Sequence, residues 1–196
     1  MKAVLASSNA GKLRELAAIL SPLGYELVTQ SSLGIDTPPE TGTTFAENAL
    51  LKARHTARLS GLPAIADDSG IEVDALDGRP GVYSARYAGE GATDLANLQK
   101  MLHELHGVPT DRRSARYQCV IAFVRSADDP APLVAHGSWE GRVLTAPRGT
   151  GGFGYDPIFQ PIGLDLSAAE LPAAEKNARS HRGEALRVLA RLLRPA

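Results

Sequence analysis

Asp67-Asp68-Ser69-Gly70 is the segment of the chain richest in chemical possibility. Adjacent carboxylates repel, so such a pair tends to persist where a cation or hydrogen-bond donors neutralise it. Mg²⁺ suits that setting, because it takes one or two carboxylates and shares its other positions with water and substrate phosphates. Glu40, on a loop just before Thr41-Gly42, is the candidate second carboxylate. A plain polar turn would also account for Asp67 to Gly70. Ser7-Ser8-Asn9-Ala10-Gly11-Lys12 joins a strand end to a helix start, where unpaired backbone N–H groups and the positive dipole end favour an anion, unless the segment is only a helix cap. Lys12 adds a full charge there. Lys52 either reaches a phosphate or is ordinary solvated surface.

Further along, Lys176, His181 and Arg182 put three basic groups around a predicted helix start. The dipole disfavours cations at such a place, so a nearby anion or polar ligand is implied. Phe153 offers a flat face on which a base could stack, or simply anchors its loop, and Asp156 offers an acceptor. Three other matches fail. Gly149 to Gly154 spells G-x-G-x-x-G, but Tyr155-Asp156-Pro157 follows instead of a helix. Gly11-Lys12 lacks the preceding Gly and following Ser or Thr of a phosphate loop. His103-Glu104-Leu105-His106 is one residue short of a zinc helix.

The elements that must position these groups follow from periodicity. Val4 to Ala6 reads as a buried strand, followed by a helix with Leu13, Leu16, Ala17 and Leu20 on one face. Leu27-Val28 is a second strand. Thr44-Phe45-Ala46-Glu47 fits a capping box, which accounts for Glu47, and its helix runs to Ser60-Gly61. Ala64 to Ala66 and Ile71 to Asp74 read as two short extended pieces flanking the aspartates. Thr93 caps a helix bearing Leu95, Leu98, Leu102 and Leu105. Ala115–Arg125 and Leu133–Leu144 are the longest strands and suggest a hairpin around Asp128-Asp129-Pro130. A short helix is expected near Ser167–Leu171 and another after Ser180. The order is that of a mixed α/β fold.

Composition bounds the rest. With 196 residues, 43% hydrophobic and 22% charged, the chain suits one domain with an ample core. A net charge of −1 gives no footprint for polymeric nucleic acid. The single cysteine, Cys119, excludes an intrachain disulfide or cysteine zinc site and suits a reducing cytoplasm. No apolar run is long enough for a membrane span, and Ala3 to Ala6 is too short for a signal peptide. From residues alone, the chain is a magnesium-dependent nucleotide phosphohydrolase or a nucleotide sensor.

Five segments in order resemble the inosine triphosphate pyrophosphatase family, the dITP/XTP pyrophosphatases. They are Ser7-Ser8-Asn9 with Lys12, Glu40 to Ala49, Ala66 to Gly70, Gly151 to Pro157, and Lys176-Asn177 with Ser180 to Gly183. Pro80 to Tyr87 is similar too, and Ser7 stands where Thr is common. The resemblance implies a single domain over 1–196 with an elongated mixed sheet and flanking helices in two lobes, a nucleotide cleft between them, and a homodimer. It implies hydrolysis of ITP, dITP or XTP to the monophosphate and pyrophosphate. It makes Asp68 the general base and, with Glu40, a Mg²⁺ ligand. Ser7, Ser8, Asn9, Ala10, Gly11, Lys12 and Ser69 would hold phosphates and sugar, with Lys52 as a further phosphate contact. Phe153, Gly154, Tyr155, Asp156, Lys176, His181 and Arg182 would hold the base.

Overall fold

The computed structural model describes residues 1–8 and 10–194. Asn9 and the side chains at positions 10, 11 and 15 lie outside the described residues, and with them the anion contacts expected of Asn9, Ala10 and Gly11. Six strands are named among the described residues: β1 (Lys2–Leu5), β2 (Glu26–Thr29), β3 (Ala64–Val73), β4 (Ser114–Val124), β5 (Leu133–Val143) and β6 (Phe159–Pro161). They form one sheet in the order β2-β1-β3-β4-β5-β6. The pairs β1–β2 and β1–β3 are parallel, whereas β5–β6 is antiparallel, so the sheet is mixed. The helices are α1 (Ala10–Leu20), α2 (Phe45–Ser60), α3 (Asp94–Glu104), α4 (Ala173–Arg179) and α5 (His181–Leu192).

The chain divides into two compact units. The first comprises Met1–Asp68, Cys119–Gly137 and Arg182–Ala196, and the second Ser69–Gln118 and Ser138–His181. In the first unit, strand alternation sorts the core into two layers. Ile65, Cys119, Ile121 and Phe123 pack with Leu16 and Leu20 of α1 and Leu186 and Leu189 of α5. Their neighbours Ala64, Ala66, Val120, Ala122 and Val124 pack with Ala49, Ala53 and Ala57 of α2. The alanine stripe lets α2 lie close to the strands, which brings its adjoining polar positions under cover: Asn48, Lys52 and Thr56 are all buried. In the second unit, Ile71, Val73, Tyr117, Trp139 and Phe159 pack with Leu98, Met101 and Leu105 of α3.

Capping fixes where α2 begins. Thr44 accepts from the Glu47 N–H while the Glu47 carboxylate accepts from the Thr44 N–H, and Gly61 closes the helix in the left-handed region.

Two expectations are corrected, and one of two alternatives left open for Lys52 is excluded. The two short extended pieces flanking the aspartates are one ten-residue strand, so Asp67 to Gly70 is not a turn. The turn-forming residue types are overridden by strand pairing and by the charged groups that meet the carboxylates. The helix expected near Ser167–Leu171 is absent. A single turn stands there, with Ser167 N–H donating to the Glu170 carboxylate, and α4 begins only at Ala173, after Pro172. Proline disfavours helical geometry in the residue before it and favours a new start. Finally, Lys52 is buried, not solvated surface.

Candidate active site

Because β3 is a strand, Asp67 and Asp68 point to opposite faces of the sheet. They are not one bidentate pair, and each meets its own cations. Asp67 continues the Ile65 side, toward α1 and α5. Its Oδ1 accepts from Lys12 Nζ at 2.8 Å, and its Oδ2 from Arg182 Nη2 at 3.2 Å and Nε at 3.3 Å. Burial would push Asp67 up, but the Lys12 and Arg182 charges win and hold its carboxyl well below the usual range.

Asp68 continues the Ala66 side, toward α2. Its Oδ1 accepts from Lys52 Nζ at 2.7 Å, and its Oδ2 from the Asn48 side-chain amide at 3.4 Å. The same Lys52 nitrogen donates to Glu40 Oε1 at 2.7 Å. Here burial wins. It pushes Asp68 up to about 6 against the pull of Lys52, and the nearby Glu40 charge adds to the rise. Burial pulls the other way on Lys52, but the two carboxylates overcome it and keep the ammonium charged. Two neighbouring carboxylic groups are thus driven apart in acidity, an arrangement that separates a permanent anion from a proton acceptor.

Glu40 and Asp68 therefore converge on a single positive centre. That is the donor set a hard divalent ion uses when water and substrate phosphate complete its shell. Among the described residues, no group of three or more His, Cys, Asp or Glu side chains is arranged to hold a metal, so a closed protein-only cage is not offered. The residues fit a divalent metal ion shared with a ligand.

The second unit holds a separate cluster. Asp156 is buried, and its Oδ2 accepts from the Phe153 N–H at 2.8 Å and from Lys176 Nζ, while the Tyr117 hydroxyl lies 3.4 Å from Oδ1. Gly152 makes this closure possible. It sits at φ +71°, and a Cβ there would lie 2.1 Å from Asp156 Oδ2. Lys176 Nζ lies 4.7 Å from the centre of the Phe153 ring, which is 56% exposed. The loop is pinned further by Gly154 N–H to Asp94 (2.8 Å) and Tyr155 hydroxyl to the Ser84 carbonyl (2.8 Å). His181 stacks on Tyr117 with ring centres 4.7 Å apart and planes 8° from parallel.

The expected basic trio is thereby divided. Lys176 joins Asp156 and His181, the first residue of α5, joins Tyr117 in the second unit, whereas Arg182, the next residue, belongs to the first unit and pairs with Asp67. Ser69, half-buried on β3, begins the second unit, and Ser7 and Ser8 follow β1 in the first. The residue types alone did not single out Tyr117 as a partner of Asp156 and His181, or Asn48 as a partner of Asp68. The spacing of Asn48, Lys52 and Thr56 beside the alanine stripe was the available signal for the second.

The sequence profile of the Ham1 family matches residues 3–192. A dITP/XTP pyrophosphatase of Shigella flexneri is 60% identical over 193 residues, covering 98% of each chain. One from Escherichia coli O157:H7 is 59% identical with the same coverage. A solved HAM1 protein from Coxiella burnetii superposes with a TM-score of 0.94 at 49% identity, again over 98% of both chains.

Proposed function

The chain belongs to the Ham1 family, and from that premise we propose that it hydrolyses non-standard purine nucleoside triphosphates, ITP, dITP and XTP, to the monophosphate and pyrophosphate. The supporting observation is the convergence of Glu40 and Asp68 on one cationic centre, with Asp68 itself raised toward neutrality.

Mg²⁺ held by Glu40 and Asp68 would offset charge on the triphosphate and on the departing pyrophosphate. Asp68 would take the proton of the water that attacks the α-phosphorus, in line with the leaving group. Its raised pKa, the mark of a stronger conjugate base, suits it to accept that proton near neutral pH. Lys12 and Lys52 supply positive charge for the phosphates, and residues 7–11 with Ser69 supply hydroxyl and backbone donors for phosphates and sugar. The purine stacks on Phe153, whose loop is ordered by Gly154, Tyr155, Asp156 and Lys176. His181 or Arg182 donates to the 6-keto oxygen. Adenine carries an amino group at that position and would leave a buried donor unmatched, a mismatch such sites reject strongly. Guanine keeps the oxygen, so its rejection turns on the 2-amino group.

Family resemblance also supports a cytoplasmic homodimer. No helix among the described residues is long and apolar enough to cross a membrane, and burial pushes the Cys119 thiol up to about 12, which leaves it inert. A panel of nucleoside triphosphates assayed with and without EDTA tests the function. Pyrophosphate and monophosphate from ITP, dITP and XTP, abolished by EDTA, are expected. Orthophosphate alone, or binding without turnover, contradicts the proposal.

A further inference from the structure

Asn48 is completely buried on α2, one helical turn before Lys52, and both residues face Asp68. Its Oδ1 accepts from the Gly42 backbone N–H at 2.8 Å. A backbone N–H can only donate, so this contact fixes which end of the amide is oxygen and turns Nδ2 toward Asp68 Oδ2, 3.4 Å away. The approach is close. A Cβ at Gly42 would lie 2.7 Å from Asn48 Oδ1 and 2.7 Å from Glu47 Cβ, so only glycine fits. Gly42 stands two residues after Glu40, and Glu47 holds the next two backbone N–H groups, those of Thr43 and Thr44. One side chain thus touches the loop that carries Glu40 and the carboxylate of Asp68.

Resting on the pyrophosphatase reading, we infer that Asn48 is a positioning residue that sets the rotation of the Asp68 carboxylate and its register with Glu40. Lys52 holds Oδ1 and the Asn48 amide directs Oδ2, so the two i, i+4 side chains of α2 together fix the plane of the carboxylate. The amide end facing Asp68 must be a donor, because an acceptor there would repel the carboxylate.

Asn48→Asp separates the two contacts. It retains an acceptor for Gly42 and replaces the donor facing Asp68 by a second acceptor. The expected result is a fall in kcat for dITP of about tenfold to a hundredfold, the range that a hydrogen bond to a charged group carries, with KM changed less than threefold, about the size of a neutral contact. In an Asp68→Asn background the same substitution should have no further effect on residual kcat, whereas a positioning role elsewhere would give an additive loss. Calorimetric titration of the nucleotide-free protein with Mn²⁺ supplies a readout independent of turnover, with Asn48→Asp expected to alter the affinity only where Asp68 is intact. A normal kcat in Asn48→Asp, equal losses in the two backgrounds, or Mn²⁺ affinity altered equally in both overturns the inference. If Asn48→Asp fails to fold while the double variant folds, the contact with Asp68 is itself demonstrated. If both fail to fold, Asn48 is a structural residue of α2 and the inference is overturned. Wild-type protein that releases no pyrophosphate from dITP overturns the functional reading first, and the inference with it.

Discussion

Asp68 in the first unit and Asp156 in the second are both buried carboxylates facing a lysine, yet their surroundings assign them different work. The oxygens of Asp156 are engaged by its own neighbourhood: the Phe153 N–H, the Lys176 ammonium and the Tyr117 hydroxyl. Its partners order one loop and keep an aromatic ring in place. Asp68 has one close partner, Lys52, which it shares with Glu40, and one long contact from Asn48. Burial is strong enough there to outweigh the lysine and bring the group to about 6. A carboxylate saturated with donors builds a surface for recognition, whereas one left short of donors beside a second carboxylate is equipped to take a proton or a metal.

The contrast can be broken most forcefully at Asp68. Asp68→Asn should lower kcat for ITP by at least about 10² while nucleotide binding persists, the scale of a lost general base. Near-normal turnover would remove the distinction between the two centres. Asp67→Ala should instead strike the fold. It removes the carboxylate shared by Lys12 and the buried Arg182, and the expected loss is about 3–5 kcal/mol in urea unfolding. A loss under about 1 kcal/mol would show the ion pairs to be dispensable.

A third test uses pH. The ordinary value for an aspartate is 3.8, and folding raises that of Asp68 to about 6, so the folded chain binds this proton more tightly than the unfolded chain. Its contribution to stability therefore falls as pH rises from about 4 through 6. In metal-free buffer, Asp68→Asn should gain on the order of 1–3 kcal/mol relative to wild type between pH 4 and pH 7. No change in that difference contradicts the raised value. The smallest effect is expected at the other centre. Asp156→Asn should reduce the preference for ITP over ATP about tenfold, mainly through KM, as ground-state base contacts weaken. A fall in kcat with selectivity intact would assign Asp156 to the chemistry instead.

Much of this was legible in the residues. The capping box at Thr44, the aspartate pair, Glu40 and the glycine-rich loop at 151–157 announce themselves through side-chain chemistry and local spacing. Two features were hidden for physical reasons. Asp67 to Gly70 are turn-forming types, and only strand pairing reveals that they alternate across a sheet, so the split between Asp67 and Asp68 depends on long-range contacts. Lys52 sits on the polar side of its helix by periodicity, yet the small alanines beside it bring that helix so close to the strands that the lysine is covered. The partition of Lys176, His181 and Arg182 likewise follows from where the chain passes from one unit to the other, which local sequence does not encode.

Water activated at Asp68 is expected to attack the α-phosphorus of the nucleotide. Hydrolysis of dITP in ¹⁸O-labelled water, followed by mass analysis of both products, tests it most directly. The label is expected in the monophosphate and not in the pyrophosphate; label in the pyrophosphate would place the attack on the β-phosphorus and overturn this role of Asp68.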